Sequence, residues 1–217
     1  MEQLLITLPV LIFSVVLHEV AHAWVARSQG DLTAAAQGRI TLNPLPHLDP
    51  LGSILLPGIM AIMGGPILGW ARPVPVDPRN FRNYKRGDIL VSLAGVATNF
   101  LLAILFTLLL AAVIAAHRGI PRLAPSWELL ANMFYAGIGL NFLLVIFNLI
   151  PIPPLDGSHV LYHLLPVRLA LRYRELGQYG MLILFVLLFV GVLNFLVLPV
   201  GALTGLAVGV ARALSGG

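Results

Sequence analysis

Residues 14–24 read SVVLHEVAHAW and set His18, Glu19 and His22 inside an otherwise apolar run, the first membrane-length segment of the chain. Residues four apart on a helix share a face, so His18 and His22 can offer two imidazole nitrogens to one metal ion. Glu19 sits about 100° around the helix from His18. From there its carboxylate can reach a metal-bound water without being a ligand, as the His-Glu-x-x-His signature requires. Zinc suits this pattern, because three protein ligands leave a fourth position for water, whose pKa the ion lowers to about 7. Glu19 would then take the proton as that water attacks a peptide carbonyl. The same five-residue pattern arises by chance on soluble helices, where it does nothing. In a lipid-length segment an ionisable residue is costly and marks a site.

Composition agrees with a membrane setting. The chain has 217 residues, of which 59% are hydrophobic and 10% charged, and its mean hydropathy is +0.93. Such values indicate an all-α polytopic membrane protein forming a single domain over residues 1–217, with a core at 4–165 and C-terminal helices at 177–214. Cysteine is absent, so disulfides, thiolate nucleophiles and thiolate-zinc sites are excluded. The net charge of +4 gathers in short loops between apolar runs. That distribution orients a protein in a bilayer and lacks the continuous basic face that nucleic acid would require. Glu2 stands where a signal peptide would carry basic residues, and cleavage of the apolar run would remove His18 and His22 themselves.

Along the chain, Leu4–Ser28 is expected to form one helix about 37 Å long, ended by Gly30. Residues 31–50 are polar and broken by Gly38, Pro44, Pro46 and Pro50. Within them GRITLNP can form a short β-ribbon whose edge pairs with an unwound substrate, or remain a loop; His47 reads as a loop histidine. Leu51–Trp70 is apolar but interrupted at Pro57-Gly58 and Gly64-Gly65-Pro66, and a cationic loop follows with Arg72, Arg79, Arg82, Lys85 and Arg86. Ile89–Ala116 is a long helix with Ser92, Gly95 and Asn99 on neighbouring turns; Gly95 favours close packing and Asn99 an interhelical hydrogen bond. Trp127–Ile150 is another span, with Asn141 and Asn148 on one face.

The second informative stretch is NLIPIPPLDGSHV. Pro151, Pro153 and Pro154 cannot continue a helix, so the backbone unwinds there. Asp156 sits in that unwound piece, and at membrane depth its carboxylate wants a cation; as an ordinary turn residue it would cap a helix beginning at Ser158. His159 and His163 are competing candidates that read more simply as helix residues. The loop 166–175 carries Arg168, Arg172 and Arg174, Gly177–Leu198 forms a further span, and 200–214 is a shorter apolar stretch with three glycines.

Topology joins the two informative stretches. His22 and Asp156 share a membrane side if 51–70 dips into the bilayer and returns, giving a bundle of about five to six segments with one re-entrant. All basic residues except Arg118 and Arg122 then fall on the cytoplasmic side.

HEVAH, the text from GRITLNP through GWARPVPVDPRNFRNYKRGD, LAGVATN and NLIPIPPLDG together resemble the site-2 protease family of intramembrane zinc metalloproteases, peptidase family M50. The likeness is to its small prokaryotic form without a PDZ domain, and it spans nearly all of residues 14–160. The resemblance implies one Zn²⁺ per chain held by His18, His22 and Asp156, with Glu19 as general base and Asn148 hydrogen-bonding the oxyanion or the substrate backbone. It also implies transmembrane proteins or peptides as substrates, the lipid bilayer as surroundings, and residence in the prokaryotic cell membrane with the active site nearer the cytoplasm. One departure is that Gly95 precedes Val96, where the family commonly has proline. Two other classes use the same residues: a membrane metal carrier, and a non-catalytic scaffold retaining the fold. A carrier would need a second ligand cluster in the outer loops, and a scaffold has no use for Glu19.

Overall fold

The computed structural model describes residues 2–55, 71–119 and 124–216. Unbroken runs of Leu, Ala, Val and Ile give eight α-helices among the described residues: α1 (Glu2–Gln29), α2 (Thr33–Ala36), α3 (Tyr84–Gly119), α4 (Ala124–Asn148), α5 (Asp156–Leu164), α6 (Val167–Glu175), α7 (Gly180–Phe189) and α8 (Val197–Leu214). Among the described residues, four helical stretches are long and apolar enough to cross a membrane: Ile6–Gln29, Tyr84–His117, Ser126–Asn148 and Val192–Leu214. Large apolar side chains such as Phe13, Trp24, Phe100 and Leu101 are exposed on them while Ser14, Asn99 and Asn141 are fully buried. Apolar outside and polar inside is the pattern of an integral membrane protein.

Several expectations are corrected. Residues 177–198 do not form one span. The helix α7 stops at Gly191, which takes φ +79°, and a 3-10 turn at Val192–Leu196 leads into α8. Ten residues of α7 reach only about 15 Å, half the hydrocarbon thickness. The 166–175 loop is instead the helix α6, begun by Pro166 as its N-cap. The helix after the prolines starts at Asp156 with Leu155 as N-cap, not at Ser158. GRITLNP forms no strand. Thr41 and Asn43 side chains accept the backbone N–H of Asn43 and Leu45 in local turns, and the described pairing there is a single antiparallel bridge between Leu48 and Ala71. The expected re-entrant dip at 51–70 falls largely on residues 56–70, outside the described residues.

Chain contacts group residues 15–95 into one unit and residues 1–14 with 96–217 into another, the boundaries falling inside α1 and α3. In the 15–95 unit the segment 71–83 is fastened along the second half of α1. Arg82 N–H donates to the Gln29 carbonyl at 2.8 Å. Gly30, at φ +114°, lies so close to the segment that a Cβ would stand 2.9 Å from the Asn80 carbonyl oxygen. Asp31 is the knot: its carboxylate accepts from Thr33 N–H and hydroxyl at 3.1 and 2.5 Å, from Asp77 N–H at 2.8 Å and from Asn80 Nδ2 at 2.9 Å. Val74 packs on Ala23 and Ala34, and Phe81 on Ala26 and Val91.

In the other unit, Asn99 Nδ2 donates to Asn141 Oδ1 at 2.9 Å, and Asn141 Nδ2 donates to Ser14 Oγ at 2.9 Å and the Gly137 carbonyl at 2.8 Å. Asn99 is thus the interhelical tie expected of it. Gly137 admits the Phe106 ring, 2.7 Å from where a Cβ would be. The helix α8 meets α4 and buries Thr204, Ala207 and Ala211, small residues that allow close approach.

Asp31 supplies a pH test. Burial alone would raise its pKa, but the hydrogen bonds from Thr33, Asn80 and Asp77 outweigh that and hold it below the ordinary carboxylate value. A folded pKa depressed in this way contributes stability above the unfolded pKa of about 3.9, and the contribution is lost as pH falls through the folded value. Thermal unfolding in detergent between pH 7 and pH 3 should therefore show a smaller loss of stability on acidification for Asp31→Asn, which should also start less stable at pH 7.

Candidate metal centre and catalytic residues

The second half of α1 presents its polar residues within the 15–95 unit. His18 and His22 are buried at 7% and 9% exposure, one turn apart, with Nε2 atoms 2.9 Å from each other. Their rings meet edge to face, centroids 4.6 Å apart. His22 Nδ1 lies 2.7 Å from the Val91 carbonyl oxygen. A carbonyl only accepts, so Nδ1 carries the proton and Nε2 keeps its lone pair for a metal. Fixing the far nitrogen in this way is what orients a histidine ligand.

The helix α3 makes room for this pair at Gly95. A Cβ there would stand 2.5 Å from His18 Cε1 and 2.6 Å from both Nε2 atoms. The close packing expected of Gly95 is therefore contact with the imidazole nitrogens themselves. Glu19 is half-buried, and its Oε2 accepts the Val74 N–H at 2.8 Å, so one oxygen is held by the 71–83 segment.

Asp156 lies in the other unit, as the first residue of α5. Its carboxylate is placed in the first turn of that helix. The unwound backbone before it is held from three sides. A Cβ on Gly157 would overlap the Leu149 carbonyl oxygen and one on Gly180 that of Pro153, and Tyr173 donates its hydroxyl to the Pro151 carbonyl at 2.9 Å. Asn148 ends α4, with its Nδ2 donating to the Leu144 carbonyl of its own helix at 2.9 Å.

The remaining histidines take ordinary places. His47 is buried at 1% exposure in a 3-10 turn, with Nε2 3.0 Å from the Thr41 carbonyl, and is a loop histidine as expected. His159 and His163 lie on α5, the latter against the Tyr162 ring. Sequence reasoning missed the Val91 carbonyl, the Val74 N–H and the role of Asp31. The first two are backbone groups, which carry no signal in residue identity. Asp31 was visible only as one polar residue of a broken loop.

Long apolar helices with a buried His-Glu-x-x-His on the first of them define a membrane metallopeptidase. Residues 110–191 match the model described as Peptidase family M50. The chain is 41% identical over 198 residues to the Bacillus subtilis protein named "Putative zinc metalloprotease YwhC", covering 91% of this chain and 84% of that one. It is 33% identical to "Putative zinc metalloprotease Rip2" of Mycolicibacterium smegmatis, over 84% of this chain and 66% of that protein, and 35% identical to the Mycobacterium tuberculosis H37Rv protein of the same name, over 70% and 55%. No solved structure matches the chain. The chain belongs to peptidase family M50 and is a membrane zinc peptidase.

The residues present fit that ion. Two nitrogens each about 2.0–2.1 Å from a tetrahedral zinc stand about 3.3 Å apart, close to the 2.9 Å between the two Nε2 atoms. Substituting Gly95→Ala should push a methyl group into both imidazoles. Metal analysis of the purified variant is expected to show zinc affinity lowered at least about tenfold, with helix content unchanged; a variant retaining one zinc per chain would mean that α3 can retreat without cost.

Proposed function

We propose that this protein hydrolyses peptide bonds within or beside the membrane-spanning segments of other proteins, using one zinc ion held by His18, His22 and Asp156. The observation that carries the reading is the pair of buried imidazoles on a lipid-length helix, with the Nε2 lone pair of His22 preserved by the Val91 carbonyl. Asp156, the first residue of α5, is the carboxylate that the family resemblance calls for as the third ligand. The lack of cysteine leaves nitrogen and carboxylate oxygen as donors, the set that suits hydrolytic zinc.

When bound, zinc supplies Lewis acidity, acidifying water and polarising a carbonyl. Glu19 takes the water proton as the attack begins and returns it to the departing amine. The Val74 N–H on its Oε2 stabilises the carboxylate and fixes its plane. Asn148, at the end of α4 beside the unwound backbone, can turn its amide from the Leu144 carbonyl to the substrate backbone or the developing oxyanion. The substrate itself must unwind, because a helix hides its peptide bonds in internal hydrogen bonds; helix-breaking residues near the scissile bond should favour cleavage. The basic residues of the 72–86 and 168–174 segments set the active end toward the cytoplasm of a prokaryotic cell.

A detergent assay on single-span peptides tests the reading. Glu19→Gln is expected to lower cleavage at least about a thousandfold with zinc still bound, and chelation to abolish cleavage by the native protein. Asp156→Ala should lose most of its zinc. Full zinc content in Asp156→Ala would remove that residue from the ligand set, and cleavage by Glu19→Gln at the native rate would remove the base.

A further inference from the structure

Arg39 is an unusual residue to find buried. It is 7% exposed, lies outside the helices between α2 and the 3-10 turn at Leu45–His47, and belongs to the same unit as Glu19. A guanidinium is rarely withdrawn from water unless its donors are used and its charge is answered. Here Nη2 is used while Nε is buried without a hydrogen-bond partner. Its Nη2 donates to the Arg72 carbonyl at 2.8 Å and the Pro73 carbonyl at 3.2 Å. Burial and the neighbouring Arg72 weaken its hold on the proton, and the charge of Glu19 opposes them.

The two carbonyls immediately precede the one N–H that holds the catalytic carboxylate. Val74 donates to Glu19 Oε2, and its neighbours Pro73 and Pro75 have no N–H to offer. The segment therefore meets Glu19 through a single hydrogen bond, and its register must be set by something else. On its other side Arg72 N–H donates to the His47 carbonyl at 2.8 Å, within the bridge that pairs Leu48 with Ala71. This tie sits on Arg72 itself, whose carbonyl is the first of the two that Arg39 grips. A single guanidinium nitrogen shared by two successive carbonyls fixes their orientation, and the Val74 N–H lies in the same peptide plane as the Pro73 carbonyl.

We infer that Arg39 is a positioning residue for the proposed proteolysis: it clamps the Arg72 and Pro73 carbonyls so that the Val74 N–H points at Glu19 and holds the carboxylate plane in register. The inference rests on Glu19 acting as the base, which the Glu19→Gln assay decides separately. A dead Glu19→Gln with a fully active Arg39 variant would fail this inference alone.

The experiment uses the full-length protein in detergent with the best-cleaved single-span peptide, and compares Arg39→Met, Arg39→Lys and Val74→Pro. Arg39→Met is expected to lower kcat about ten- to a hundredfold with KM within twofold and one zinc still bound. Arg39→Lys keeps a donor for one carbonyl and should recover part of that loss. Val74→Pro removes the N–H itself, so the Arg39→Met, Val74→Pro double variant should be scarcely slower than the worse single variant. An unchanged kcat in Arg39→Met, a lysine variant no faster than the methionine one, losses that multiply in the double variant, or loss of zinc in parallel with kcat would each overturn the assignment.

Discussion

A polar side chain on a helix surrounded by lipid has to be answered by the protein, since no water is there to do so. The helix α1 carries four such residues over three turns, Ser14, His18, Glu19 and His22, and each has a neighbour that answers it. Ser14 accepts from Asn141, His22 donates to the Val91 carbonyl, His18 faces His22, and Glu19 accepts from Val74. Everything else in the 15–95 unit follows from keeping these partners in place. The knot at Asp31, the close passage at Gly30 and the packing of Val74 and Phe81 all serve to press the 71–83 segment on α1.

Two kinds of partner are used, and they differ in what a mutation can remove. Asn99, Asn141 and Ser14 answer one another through side chains, so deleting one leaves a buried amide unsatisfied at about 1–3 kcal/mol. His22 and Glu19 are answered by backbone groups, which no side-chain substitution deletes except proline. Such partners are altered only by moving the chain that bears them. This is why glycine and proline carry so much of the architecture: Gly95, Gly157 and Gly180 let backbone or ring atoms come into contact with other elements, and Pro73 and Pro75 leave Val74 as the single donor at its place.

The same distinction explains what was legible beforehand. The apolar runs, the His-Glu-x-x-His pattern, the unwinding at 151–154 and the interhelical role of Asn99 all follow from residue types at fixed spacing. The break at Gly191 did not announce itself, because a glycine among leucines and valines is tolerated in membrane helices, and only its left-handed φ ends α7. The helix α6 was obscured by three arginines that suggested a solvated loop, although Ala170 is buried and Tyr173 half-buried on its inner edge. Arg39 counted as one more inside-positive charge, since nothing in its spacing reveals that two backbone carbonyls await it.

The stretch 149–155 shows the cost of opening a helix in this setting and how it is met. Once Pro151, Pro153 and Pro154 deny the backbone its ladder, the freed carbonyls of Pro151 and Pro153 come under the Tyr173 hydroxyl and the bare face of Gly180. A substrate segment unwound for cleavage frees the same groups, several per turn, each costing several kcal/mol if left bare in hydrocarbon. A zinc ion and a base answer only one carbonyl among them. On the proposed reading, then, most of the enzyme's task is to supply hydrogen-bond partners for backbone. A protein whose Glu19 carboxylate is itself held by a backbone N–H, on a segment gripped through its carbonyls, already works in that chemistry.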